Sequence, residues 1–105
     1  MKILITGAAG FIGSNLCLEL IKQKKNYVVG ADNLNNYYDV NLKKDRLKEI
    51  FKNSKKNFKF LKVDISNDKK IKKIFLNYKF DLVVNLAAQA GVRYSLKKPR
   101  EYIRS

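Results

Sequence analysis

The chain predicts an α/β fold: a doubly wound parallel sheet in strand order 3-2-1-4, with helices on both faces. Three observations carry this. Short apolar runs alternate with helical patterns along the sequence, which calls for parallel strands joined by right-handed crossovers. The first run, Ile3-Leu4-Ile5, lacks polar alternation, as in a strand covered on both faces. It leads into glycines spaced G-x-x-G-x-x-G, at Gly7, Gly10 and Gly13, and a helical pattern follows at once.

Strand, glycine turn and helix form the context that a dinucleotide-binding fingerprint requires. Gly7 permits the backbone angles of the turn, Gly10 lets a pyrophosphate approach the main chain, and Gly13 lets the helix pack close to the strand. The helix then directs free N–H groups and its positive dipole end at the phosphates. Glycines serving only tight packing would leave the same triplet, so a second mark is needed. An acidic residue belongs at the end of the second strand, about 20 residues past the last glycine, to bind ribose hydroxyls. Asp32 stands there, directly after Tyr27 to Ala31. An Asp favours NAD, because it repels the extra phosphate of NADP. Asn33, Asn35 and Asn36 add neutral hydrogen-bonding groups, and no Arg follows Asp32 closely enough to suggest an NADP pocket.

The first helix is expected from Gly13 to about Lys24, with Phe11, Ile12, Leu16, Leu20 and Ile21 as its apolar stripe. Cys17 on this helix reads as a small packing residue. The second strand is Tyr27 to Ala31, and an Asn- and Tyr-rich loop runs from Asp32 to Tyr38. A second helix, about Val40 to Lys52, buries Leu42, Leu47, Ile50 and Phe51. Phe58, Phe60, Leu61 and Val63 make the third strand, which ends at Asp64. Ser66 is the expected N-cap of a third helix, Asn67 to Tyr78, buried through Ile71, Ile74 and Phe75. The fourth strand is Leu82 to Leu86. Pro99 suits the first turn of a further helix that buries Tyr102 and Ile103. In such a sheet, ligands bind at the carboxyl ends of the strands, where strands 1 and 4 diverge. The glycine turn, Asp32, Asp64 and the stretch Ala87 to Arg93 all fall there. Asp64 reads equally as an acceptor for the adenine amino group and as a helix-capping acid. Ala87 and Ala88 are small enough for a cofactor to lie close, or for plain packing.

With 105 residues, 46% of them hydrophobic, the chain has material for one small domain with a real core. The single cysteine excludes an intramolecular disulfide. The absence of His excludes His-based acid–base chemistry and His-ligated metals, and no metal site is expected. No apolar run reaches transmembrane length, and Lys2 is followed by too few apolar residues for a signal peptide. The expected location is the cytoplasm, with no membrane partner. A net charge of +14 raises the question of nucleic acid. However, the excess is mostly Lys, at positions such as Lys22, Lys43, Lys55, Lys69 and Lys72, which fall at helix ends and polar helix faces. Arg, the usual base reader, is scarce. Solvated faces are the reading, and nucleic acid is not an expected partner.

The motifs T-G-A-A-G-F-I-G, D-N-L-N-N-Y-Y-D, D-I-S and N-L-A-A-Q-A-G-V-R-Y-S, in this order and spacing, resemble the extended short-chain dehydrogenase/reductase superfamily. These are NAD-dependent epimerases and dehydratases of nucleotide sugars. The resemblance covers essentially the whole chain, and the two longer motifs look most like UDP-glucuronate 4-epimerases. It implies a Rossmann-type domain of which residues 1–105 are the N-terminal half, truncated, with the C-terminal substrate domain absent. By the same resemblance Gly7, Gly10, Phe11, Ile12 and Gly13 hold the pyrophosphate of NAD, and Asp32, Asn33, Asn35 and Asn36 hold the adenosine ribose. Asp64 and Ile65 contact adenine, and Leu86, Ala87, Ala88 and Gln89 follow the cofactor toward nicotinamide. Arg93 either faces a sugar-nucleotide substrate, through a bidentate fork on phosphate or carboxylate, or is a surface cation. Asn85 departs from the family, which commonly has His before L-A-A. Full-length relatives are expected to be homodimers.

The family's reaction removes hydride from sugar C4 to NAD, with a Tyr as base, and returns it to the other face of the keto sugar. The catalytic Tyr-x-x-x-Lys belongs after a fifth strand. Tyr94 and Lys98 have that spacing, but they directly follow the fourth strand and Pro99 limits any helix through Lys98. The match reads as coincidence, and no catalytic residue is assigned. The leading expectation is therefore the NAD-binding part of a nucleotide-sugar epimerase, inactive alone, with the edge of strand 4 left open. The alternatives are a nucleotide-binding module completed by a partner chain, a related dehydratase or decarboxylase, and a basic nucleic-acid-binding protein.

Overall fold

A computed structural model describes residues 1–34, 40–64, 66–86 and 101–104, the last stretch as backbone. Five strands, β1 (Lys2–Thr6), β2 (Tyr27–Asp32), β3 (Phe58–Lys62), β4 (Leu82–Asn85) and β5 (Glu101–Arg104), form one sheet in order β3-β2-β1-β4-β5. Every pairing is parallel. Among the described residues three helices join the first four strands: α1 (Phe11–Ile21), α2 (Val40–Asn53) and α3 (Asp68–Asn77). The first four strands lie in the order expected from sequence.

Because strand side chains alternate in direction, β1 sends Ile3 and Ile5 to one face and Leu4 to the other. Ile3, Ile5, Val28 and Val84 join Cys17 and Ile21 of α1 and Leu47 and Ile50 of α2 in one core. Leu4, Val29, Ala31 and Val83 join Ile71 and Ile74 of α3, with Val63 and Phe80, in a second. Each fully buried aliphatic contributes about 1.5–3 kcal/mol, so β1, buried throughout Ile3 to Thr6, is the strand on which both layers depend. Polar ties hold its start. The Lys2 N–H donates to Asp81 Oδ2 at 2.8 Å, and the Asp81 N–H returns to the Lys2 carbonyl.

Four expectations change. In α1, Phe11 and Ile12 are 69% and 67% exposed, and Gly13, Ser14, Cys17 and Ile21 form the buried face. The helix starts right at the turn, and small residues there let it sit close to the sheet. In α2, Leu42 and Phe51 are exposed, and the buried positions are Lys43, Leu47 and Ile50. The N-cap of α3 is Asn67, whose side chain accepts from the Lys70 N–H, in place of Ser66. Finally, Glu101–Arg104 is a strand paired to β4 from Leu82↔Glu101 to Asn85↔Arg104, in place of a helix. β4 has β1 on one side, so its other edge offers unpaired backbone groups, and an extended segment satisfies them. The edge of β4 is thus covered. Pro99, Tyr94 and Lys98 lie outside the described residues.

Candidate functional site

The site starts where β1 ends. Gly7 adopts φ 73, a region closed to most side chains. Its N–H and that of Ala8 both reach the Ala31 carbonyl, at 2.8 and 3.2 Å. The turn is therefore pinned to the end of β2. Gly10 N–H bonds back to the Gly7 carbonyl at 3.0 Å. A Cβ on Gly13 would stand 2.1 Å from the same carbonyl oxygen, an overlap no relaxation of one side chain could relieve. The Ser14 N–H makes the ladder bond to the Gly10 carbonyl at 2.9 Å. The N–H groups of Phe11, Ile12 and Gly13 thus belong to the first turn, which has no intrahelical partners for them. Gly10 caps α1 without a side-chain bond, and the first turn carries no acidic residue. This geometry and charge suit a pyrophosphate.

Asp32 ends β2 beside that turn and is buried. Its Oδ2 accepts the Ala9 N–H at 3.0 Å, and its Oδ1 accepts the Leu34 N–H at 2.8 Å. Leu34 is thereby held at φ 55. Lys43 Nζ stands 3.2 Å from Asp32 Oδ1, with both side chains under one-tenth exposed. From the next turn of α2, Arg46 Nη1 donates to the Ala9 carbonyl at 3.3 Å, and its guanidinium lies 5.8 Å from the Phe11 ring centroid. So α2 returns two cations to the glycine turn. Lys43 is expected from sequence among the solvated lysines, and the structure corrects this, its side chain being 9% exposed. The signal was present in the spacing: Lys43, Leu47 and Ile50 occupy one helical stripe, i, i+4, i+7.

Between β1 and β4 the floor of the crevice is polar. Thr6 Oγ1 donates to Asn85 Oδ1 and accepts the Leu86 N–H at 3.1 Å. Both side chains are buried. Asn85 thus fixes the Thr6 hydroxyl, and that hydroxyl ties Leu86 to β1. Asp64, beyond β3, is exposed. Its Oδ1 accepts from the Ser66 N–H at 2.9 Å and the Ser66 hydroxyl at 2.8 Å. These bonds, led by the backbone one, lower its carboxyl below the usual value of 3.8. Asp64 thus organises the turn into α3. Asn33 is half-buried next to Asp32. Asn35, Asn36, Ile65, Ala87, Ala88, Gln89 and Arg93 lie outside the described residues. Among the described residues no cluster of potential metal ligands occurs, and no helix is long and apolar enough to cross a membrane.

A parallel doubly wound sheet, a glycine turn at its central strand and a buried acid at the end of the neighbouring strand define the class of dinucleotide-binding α/β domains. Comparison with known proteins narrows this. The profile of the GDP-mannose 4,6 dehydratase family matches residues 4–105, and the chain belongs to that family. It is 57% identical over 105 residues to Protein CapI of Staphylococcus aureus, covering all of this chain and 30% of that protein. It is 49% identical over 102 residues to UDP-glucuronate 4-epimerase of Thermodesulfobacterium geofontis, covering 97% and 31%. Among solved structures, UDP-glucuronic acid 4-epimerase from Bacillus cereus in complex with NAD superposes with a TM-score of 0.73 at 40% identity, over 89% of this chain and 29% of that one. The chain thus spans about three-tenths of the length of these relatives.

Proposed function

We propose that this chain is the cofactor-binding portion of an NAD-dependent nucleotide-sugar epimerase acting on a UDP-glucuronate-like substrate. The observation that carries the reading is the glycine turn, with Asp32 joining the turn amide of Ala9 to the end of β2. Gly7, Gly10, Phe11, Ile12 and Gly13 bind the pyrophosphate, Asp32 and the Asn33, Asn35 and Asn36 group bind the adenosine ribose, and Asp64 and Ile65 border adenine. Leu86, Ala87, Ala88 and Gln89 lead toward nicotinamide, and Arg93 faces the sugar nucleotide. NAD, when bound, accepts and returns a hydride. The residues here bind and orient it, and none of the 105 is assigned to the proton transfer. The complete enzyme works as a cytoplasmic homodimer, with its catalytic Tyr-x-x-x-Lys on a later helix and its main substrate-binding part later still. Relatives with these names and bound molecules support the reading.

Calorimetry of NAD binding to the purified chain tests this. Gly10 has φ −74, and a Cβ there stands 3.3 Å from the Gly7 carbonyl oxygen. Gly10→Ala therefore folds with a small adjustment but places a methyl where the pyrophosphate must approach. The expected outcome is saturable binding weakened at least about tenfold by Gly10→Ala, the loss of roughly one charge-assisted hydrogen bond. A folded wild-type chain that fails to bind NAD, or a variant that binds equally well, overturns the proposal.

A further inference from the structure

We infer that Thr6 and Asn85 are positioning residues: together they fix the segment that leaves β4 relative to the glycine turn, so that both halves of the dinucleotide are gripped at once. The inference rests on the cofactor reading above and starts from the pairing of β1 with β4. Three rows of that pairing are apolar, Ile3 with Leu82, Leu4 with Val83 and Ile5 with Val84. The last row, at the carboxyl ends of the strands, is polar: Thr6 with Asn85, 0% and 6% exposed. A buried polar pair adds little stability over an apolar pair of the same shape. What it adds is a directed arrangement.

The hydroxyl gives the direction. It has one proton and two lone pairs. The proton goes to Asn85 Oδ1, which turns the lone pairs toward Leu86. The Leu86 N–H is shared between that oxygen and the Thr6 carbonyl, at 3.1 Å each. A valine at position 6 would keep the ladder bond and lose the side-chain one. Thr6 also directly precedes Gly7, whose N–H is pinned to the Ala31 carbonyl. One residue thus stands between the turn proposed for the pyrophosphate and the stretch Leu86 to Gln89 proposed to lead toward nicotinamide. Asn85, where the family commonly has His, supplies the acceptor that sets it.

The test is calorimetry on the 105-residue chain with NAD and with ADP, which fills the adenosine and pyrophosphate sites and carries no nicotinamide half. Thr6→Val is expected to weaken NAD about tenfold, the worth of the lost side-chain bonds, and to change ADP less than about twofold. Thr6→Ser, which keeps the hydroxyl, is expected to retain the wild-type ratio of the two affinities. Thr6→Val leaves the Asn85 amide without its partner. Should it fail to fold, the double variant Thr6→Val/Asn85→Leu, apolar at both positions, takes its place, and NAD is again the nucleotide selectively weakened. A role in stability alone lowers both affinities together, through the unfolded fraction. Equal losses for NAD and ADP in a folded variant, or no loss of NAD, overturn the inference. A wild-type chain that binds ADP and not NAD does the same. A folded wild-type chain that binds neither overturns the cofactor reading itself, a different failure and visible before any variant is made.

Discussion

Asp32 is bonded to two backbone amides and a buried ammonium, so its removal disturbs the fold as well as the candidate site. Asp32→Ala leaves the Ala9 N–H and Leu34 N–H unpaired and an uncompensated Lys43 charge in the interior. Breaking a buried pair in this way costs about 3–5 kcal/mol, a large share of the 5–15 kcal/mol typical of a domain. The urea midpoint of Asp32→Ala is expected to fall accordingly, without cofactor in solution. An unchanged midpoint would show that the turn does not depend on this carboxylate. At this scale the sequence was informative where a residue type has few alternative uses. Gly7 and Gly13 stand where φ or a close carbonyl demands glycine, and Asp32 ends its strand as expected. Lys43 was not legible as a buried residue, because a Lys in a Lys-rich helix looks solvated. What holds it there is an anion 11 positions away.

At the scale of elements, each helix is set by its boundaries. Asn67 caps α3 through the Lys70 N–H at 3.2 Å, while Ser66 spends its hydroxyl on Asp64. Asn67→Ala is expected to destabilise the chain by about 1 kcal/mol, and Ser66→Ala, on an exposed residue, by no more than about 0.5 kcal/mol. Thermal unfolding of the two variants side by side distinguishes them, and the reverse order would return the cap to Ser66. The sequence could not place the cap, since both residues are good cap formers one position apart. It also could not show that Phe11 and Ile12 face outward. Helical periodicity gives a stripe, but the buried direction depends on where the turn delivers the first residue. The strand at Glu101–Arg104 escaped for a similar reason. Whether such a segment coils or extends depends on the edge beside it, a tertiary property absent from any local window.

For the whole molecule, Cys17 reports on integrity. It is fully buried between α1 and the sheet, and burial pushes its thiol up to about 12. A thiol reacts as its thiolate. At pH 8 the folded chain is therefore expected to resist thiol reagents, with labelling appearing only through the unfolding transition. Prompt modification under native conditions would show that α1 does not stay docked. Adding NAD is expected to slow labelling further, since a ligand that binds the folded state raises its population by mass action. The alternation of strands and helices made this architecture legible from the outset, because a layered fold is written in periodicity. The electrostatic centre was less so, since it is assembled from residues of different elements.

The central position of β1 bears on how the chain comes into being. Lys2 pairs with Asp81, and Thr6 with Asn85, each 79 positions apart. Contacts of such separation slow folding, because the loop must close before they reward it. During synthesis, β2 can dock on one side of β1 early, whereas the other side waits until β4 has left the ribosome. The floor of the candidate site, Thr6 against Asn85, thus forms after the β1–β2 pair. Until residues 82–85 emerge, the nascent chain carries an apolar strand with one unsatisfied edge. That interval is when it is most in need of a chaperone.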